Sequence, residues 1–306
     1  NTYFCIIIST IMERKNIKPA ELLAFDKRYE KTDWAKNDEA RIENLIHRMS
    51  LLDENEKKLI LQLTDKFCYI DLIKALASLN KALQNFIDKN IESNHIIVSP
   101  LKSPFINCPK DNRGRFIATK IKSSDTYYAI FKNSFVKGIY ASHLKFVFCD
   151  TPIDLKNKIQ YNSQIILIDD FIGSGTTAIQ NIKAYLSYLQ EEGVEIEETQ
   201  FNIVVMVAME AGIKYIKSHI NVDSYYSILQ RKGISESPVL NTHKNIKLMN
   251  SIENKVLPTL NPTFSFGYKQ SESLVSIIEK SPNNTFPFYW YTEKGIKLEA
   301  IFRRDI

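Results

Sequence analysis

The sequence predicts an α/β fold in which a mostly parallel sheet is flanked by helices. A helical region leads it, and a segment dense in aromatics and turn residues follows it. Three observations carry this expectation. Up to residue 90 the apolar residues recur at helical spacing, and from residue 95 short β-branched runs take over. Two runs, residues 165–168 and 201–209, are apolar throughout but for Asn202, as strands buried on both faces are. Each leads into a helical pattern, and strand, loop, helix, strand, helix is a parallel βαβ order. The expected segments are 1–92 (helical), 93–245 (sheet core) and 246–306 (C-terminal).

Composition narrows the class. The 306 residues allow one large or two modest domains, and 44% hydrophobic with 25% charged residues is ordinary for a soluble globular protein. No apolar run approaches the roughly 18 residues of a membrane span. Residues 3–11 are apolar but short, without a basic leader or a small-residue cleavage site. The sequence opens on Asn1 instead of Met, which leaves its start open. Cys5, Cys68, Cys108 and Cys149 are far apart and form no metal or disulfide pattern, so reduced cytoplasmic thiols are expected. The formal charge of +5 suits an anionic small molecule or a nucleic acid and decides neither.

In chain order, Pro19 can open a first helix over 20–28. Ile42, Leu45, Ile46 and Met49 mark a second. Asp53 with Glu56 makes a capping box for a third, whose face runs Leu59, Ile60, Leu63, Phe67 and Ile70. Ile73, Leu76, Leu79, Leu83 and Phe86 mark a fourth. These stripes read as core or partner packing, so a protein or nucleoprotein partner on this region stays open, as does an oligomer. Residues 95–98 form a strand ending in the loop Ser99-Pro100-Leu101-Lys102-Ser103-Pro104. Residues 107–115 are a turn-rich basic loop carrying Lys110, Arg113 and Arg115. Strands are expected over 126–131 and 144–148, a polar connector over 150–162, an irregular stretch over 221–245, and a helix over 247–256.

The chemistry concentrates in residues 164–177, QIILIDDFIGSGTT. An apolar strand meets Asp169 and Asp170, then Phe171 and Ile172, then the small loop Gly173-Ser174-Gly175-Thr176-Thr177, which opens a helix. Helix-opening N–H groups lack intrahelical partners, and glycines let the backbone approach a phosphate closely. The hydroxyls of Ser174, Thr176 and Thr177 add donors, while paired carboxylates accept from vicinal hydroxyls. Together they describe a ribose-5-phosphate site. Gly173, Gly175 and Ala178 also satisfy a dinucleotide fingerprint, but that reading leaves the acid pair unexplained and expects an acid at the end of the next strand, about twenty residues on. Glu192 falls instead in a predicted loop. A Walker A loop is excluded because Gly-Lys-Ser/Thr is absent. A tight turn with surface acids is the plain alternative.

The stretch resembles the signature of type I phosphoribosyltransferases. That resemblance implies a type I phosphoribosyltransferase-like core in which Asp169 and Asp170 hold the ribose hydroxyls of phosphoribosyl pyrophosphate and residues 173–177 hold its 5-phosphate. It implies Mg²⁺ brought by the substrate, with no direct protein cage. It makes Lys102 and Ser103 pyrophosphate-loop candidates. Lys110, Arg113 and Arg115 could close over the same group, since a guanidinium meets phosphate oxygens bidentately; solvated surface charges are the alternative for all of them. Gly173 departs from the purine-salvage pattern, which has an acid there. The tail, GY-x-QSE-x-LVS followed by PNNT-x-P-x-x-W, resembles phosphoribosyltransferase-like proteins of bacterial conflict and antiphage systems. The type I resemblance implies a hood-like C-terminal segment, with Gln270, Glu272, Asn283, Asn284 and Trp290 as acceptor candidates; turns, caps and core packing are the alternative. Glu210, at the carboxyl end of the expected strand 201–209, lies where open α/β sheets gather ligands and is a further acceptor candidate, or a cap of the next helix. The function implied is a phosphoribosyltransferase-like defence effector acting on a nucleotide or other acceptor; the alternative is an inactive nucleotide or ribose-phosphate sensor, or a protein-interaction module, that kept the cradle.

Overall fold

The structure is a computed structural model that describes residues 24–25, 27–36, 38–90, 95–103, 123–135, 144–150, 152–278 and 280–304. The chain divides into two compact units. One joins Asn1–Asp71 with Arg231–Ile306, and the other is Leu72–Gln230. The three consecutive segments expected from the sequence are therefore not the divisions seen, since the two ends of the chain share one unit.

In the first unit, helices α1 (Glu39–Met49) and α2 (Glu54–Thr64) precede strand β1 (Cys68–Ile70). The capping box forms as its residues dictate: Asp53 accepts from Asn55 N and Glu56 N, and Glu56 reaches back to Asp53 N. Glu56 also accepts from Ser251 and Lys255 on the helix Thr242–Val256. Helix α2 stops at Thr64, earlier than its apolar stripe suggests. Cys68–Ile70 is extended and pairs in parallel with Val275–Ile277. Leu45, Met49, Leu59, Ile60 and Leu63 share one core with Met249, Ile252, Phe286, Phe288 and Phe302. The stripes of α1 and α2 thus line a core completed by the end of the chain. Phe67 and Phe302 stack with centroids 4.4 Å apart.

The second unit begins with α3 (Leu72–Lys89), which packs on the sheet. Ala75, Leu79, Ala82, Leu83 and Phe86 are buried, whereas Leu72 and Ile73 are exposed, so Ile73 leaves the predicted stripe. The sheet holds β2 (His95–Pro100), β3 (Lys145–Phe148), β4 (Gln164–Ile172), β5 (Phe201–Met209) and β6 (Asp223–Gln230) in the order β3-β2-β4-β5-β6. Every pairing is parallel. All nine residues of β5 are buried, which explains a run that is apolar but for Asn202, whose amide donates to Gln164 Oε1 at 2.9 Å.

Four expectations are corrected here. Residues 126–131 are not a strand but lie inside α4 (Ser123–Phe135), where Ser124, Tyr127, Tyr128 and Phe131 are buried at helical spacing. The connector 150–162 contains a short helix, α5 (Pro152–Lys158). The stretch 221–245 contains edge strand β6, whose half-exposed residues blur the alternation; Tyr225 stands edge-on to Phe86 at 5.3 Å. The last long helix starts earlier than predicted, at Thr242, where Asn241 caps it by accepting from Lys244 N. Between β4 and β5 runs α6 (Thr176–Glu191), and after β5 comes α7 (Glu210–Lys217). The remaining elements, α8 (Thr242–Val256), β7 (Val275–Ile277) and α9 (Pro287–Trp290), belong to the first unit.

The tail motif acquires a structural account. Tyr268 N donates to Asn283 O, and Asn284 Nδ2 donates to Ser271 Oγ at 2.6 Å. Gly267 sits at φ 79°, and a Cβ there would run into the Asn284 carbonyl. Trp290 Nε1 donates to Thr285 O at 2.7 Å. Glu272, itself at φ 50°, accepts from Ile234 N, Ser235 N and the Ser235 hydroxyl. The motif is a hydrogen-bonded clasp. Replacing Glu272 by Ala leaves two backbone donors without their acceptor and is expected to cost about 3 kcal/mol. Urea denaturation checks this, and a loss under about 0.5 kcal/mol would overturn the clasp.

Candidate functional site

The site is built at the C-terminal edge of the sheet in the second unit. Strand β2 pairs with β4 as far as Pro100 against Ile168, and Leu101 N then donates to Ile168 O. Beyond that point β4 continues alone on this side. On its other side it stays paired with β5 up to Ile172 against Ala208. Asp169 and Asp170 therefore occupy the strand itself, not its end. They begin where one neighbour has stopped, and both are half-buried.

Their surroundings disfavour charge. Burial, then the neighbouring Asp170 carboxylate, holds Asp169 well above the usual carboxylate range. Burial also raises Asp170, against hydrogen bonds that favour its charge. Asp169 Oδ1 accepts from Asp170 N at 2.9 Å and from Ser123 Oγ at 3.3 Å. Two adjacent half-buried acids whose ionised forms are costly gain from any ligand that brings hydroxyl donors or a cation.

The loop after β4 is shaped by glycines. Gly175 stands at φ 78° as the N-cap of α6, and no side chain caps that helix. The helix therefore offers its first-turn N–H groups and positive end to an anion. Ser174 Oγ donates to Thr176 Oγ1 at 3.2 Å, gathering two hydroxyls beside those amides. Thr177 is exposed.

Behind the loop lies a close approach. A Cβ on Gly212 would run into the carbonyl of Gly173, and one on Gly175 would lie 2.7 Å from Gly212 O and 2.9 Å from Ile216 Cγ1. The first turn of α7 is thus pressed backbone to backbone against the loop. Only residues without side chains at 175 and 212 permit this.

The other predicted residues fall as follows. Lys102 and Ser103 follow β2 at the same edge, and Lys102 Nζ donates to Asp125 Oδ1 at 2.6 Å. Glu210 opens α7 at the end of β5 and pairs with Lys214 at 2.7 Å. Glu210 is thus an acid at the end of the strand after the glycine loop, but it lies well beyond the roughly twenty residues of the dinucleotide pattern. Glu192, at the C-terminus of α6, pairs with Lys156. Lys110, Arg113 and Arg115 lie outside the described residues. Gln270, Glu272, Asn283, Asn284 and Trp290 belong to the other unit. There Glu272, Asn284 and Trp290 spend their polar atoms on the clasp, and Gln270 is exposed at φ 52°.

Sequence reasoning missed Ser123, Asp125 and Asn181. The first two were hidden by reading α4 as a strand, although Ser-Ser-Asp before an apolar pattern of helical spacing is a helix-start signal. Asn181 Nδ2 donates to Leu101 O at 3.4 Å from the buried face of α6.

A family model described as PRTase-CE matches residues 33–304. No curated protein matches the chain.

Two outcomes are expected from this geometry. Gly212→Ala should destabilise the chain by about 2 kcal/mol, because the loop has no room to yield; chemical denaturation within about 0.5 kcal/mol of wild type would contradict it. Asp169→Asn should stabilise the chain by about 1 kcal/mol at neutral pH. The folded state raises this acid above its unfolded value of 3.8, so stability is lost as pH rises through the folded value. Asparagine mimics the neutral acid, and its advantage should therefore shrink toward pH 4. A thermal scan across pH in which the variant is never the more stable would refute this.

Proposed function

The chain belongs to the PRTase-CE family, a family of phosphoribosyltransferase type, and from that premise we propose that it binds phosphoribosyl pyrophosphate or a related ribose phosphate and transfers the phosphoribosyl group to an acceptor. The observation that supports this most is the acid pair beside an uncapped helix N-terminus on one edge of a parallel sheet. The amides of α6 and the hydroxyls of Ser174, Thr176 and Thr177 would take the 5-phosphate. Asp169 and Asp170 would accept from the ribose 2- and 3-hydroxyls. Lys102 and Ser103 would meet the pyrophosphate.

Such transfer passes through a charge-separated state at the anomeric carbon, so positioning and electrostatics carry the acceleration. The oxygen donors of Asp169 and Asp170 fit a hard cation. Among the described residues no group of three or more His, Cys, Asp or Glu could hold a metal. An ion that arrives on the substrate needs none, because Mg²⁺ keeps its waters and binds phosphate oxygens. When bound, Mg²⁺ would neutralise the leaving pyrophosphate. Gly173 offers no carboxylate to an acceptor, which argues against hypoxanthine or guanine as that acceptor. The likeness of the tail to proteins of conflict systems supports an effector role in antiphage defence, which plaque assays of expressing cells would test.

With phosphoribosyl pyrophosphate, Mg²⁺ and a mixed pool of bases and nucleotides, the purified chain should release pyrophosphate. Asp169→Asn combined with Asp170→Asn should lower that rate by about a hundredfold or more while the chain stays folded. Full activity in the double variant would end the ribose role. Binding without release across the pool would favour the sensor.

A further inference from the structure

The first turn of α4 touches both parts of the site. Ser123 Oγ donates to Asp169 Oδ1 at 3.3 Å. Two residues on, Asp125 Oδ1 accepts from Lys102 Nζ at 2.6 Å. This ion pair is sheltered, with side chains 16% and 29% exposed, so solvent and salt screen it less than a surface pair.

The backbone that carries Lys102 is fixed by other bonds. Leu101 N donates to Ile168 O at 2.8 Å, Asn181 Nδ2 donates to Leu101 O at 3.4 Å, and Lys102 N donates to Pro100 O at 2.9 Å. These ties set where the side chain starts. The flexible four-carbon stem would leave the ammonium free to range. Asp125 sets where it ends. An ammonium has three donors, so one given to Asp125 leaves others for phosphate oxygens.

We propose that Asp125 is a positioning residue for the leaving pyrophosphate, holding the Lys102 ammonium so that its other donors meet the pyrophosphate oxygens as the anomeric C–O bond breaks. The proposal rests on the ribose-phosphate reading of the site. In the step, the electron pair of the breaking bond leaves with the pyrophosphate oxygen. A lone pair of the acceptor forms the new bond to the anomeric carbon, and the acceptor's proton passes to solvent. Lys102 and Asp125 exchange no proton; they supply placement. Because one helical turn holds both Asp169 and Lys102, ribose and leaving group are gripped in a fixed relation.

Calorimetric titration of the full chain with pyrophosphate and Mg²⁺, and separately with ribose 5-phosphate, tests this. Asp125→Ala should weaken pyrophosphate binding about tenfold, the cost of ordering a freed lysine, and leave ribose 5-phosphate within about twofold. Asp125→Glu should recover part of the loss. Adding Lys102→Met to Asp125→Ala should cost less than Lys102→Met costs in the wild type, because the two residues act as one unit. If Asp125→Ala does not fold, Asp125→Asn replaces it, with a smaller loss and the same non-additivity. Unchanged or tighter pyrophosphate binding, equal losses for both ligands, or additive losses would overturn the proposal. A wild-type chain that binds ribose 5-phosphate but not pyrophosphate would overturn it too. A wild-type chain that binds neither ligand would overturn the ribose-phosphate reading itself, a result distinct from the others.

Discussion

The closest constraint in the sheet unit is the contact between the loop after β4 and the first turn of α7. Gly173, Gly175 and Gly212 bring two backbones together with no side chain between them. That contact fixes the direction in which α6 leaves the sheet and so aims its N–H groups. The acid pair depends on a second constraint, the step where β2 ends and β4 continues. Without that step Asp169 would face a paired strand on both sides. The site thus comes from strand lengths and glycine positions as much as from its polar residues.

What was legible in the sequence followed from unmistakable local chemistry. The apolar runs of β4 and β5, the capping box at Asp53 and Glu56, and the acid–glycine stretch each carry their reason within a few residues. What was not legible depended on distant partners. Tyr127, Tyr128 and Phe131 read as a β-rich run until the buried face of α4 is seen, because aromatic residues serve strands and helices alike. Edge strand β6 lacked alternation because helices α3 and α7 both touch it while its outer edge has no partner strand among the described residues. Asp125 and Asn181 carry no motif, and what matters about them is which loop they reach. Gly212 could be read in place but not understood, since the backbone it admits lies forty residues earlier in β4's loop.

The tail shows the same limit from the other side. Its residues had suitable chemistry for recognising a ligand, yet Glu272, Asn284 and Trp290 use that chemistry on the chain itself. Backbone strain at Phe266, Lys269, Gln270 and Glu272 is held by this clasp. Buried amides and carboxylates look alike in sequence whether they bind a neighbour or a substrate, and only their partners tell the difference.

The division of the chain sets an order of events during synthesis. The sheet unit, Leu72–Gln230, is complete when the ribosome reaches its last strand. The other unit is not. Trp34 packs against Phe302, and Arg48 donates to the carbonyl of Glu299, so its first helices must wait for the final residues before their apolar faces are covered. Domains emerge at about 5–20 residues per second, and contacts this far apart in sequence form last. The roughly 240 residues between α2 and Phe302 take about 12–48 s to make at that rate, and for that interval α1 and α2 are a nascent surface without its core.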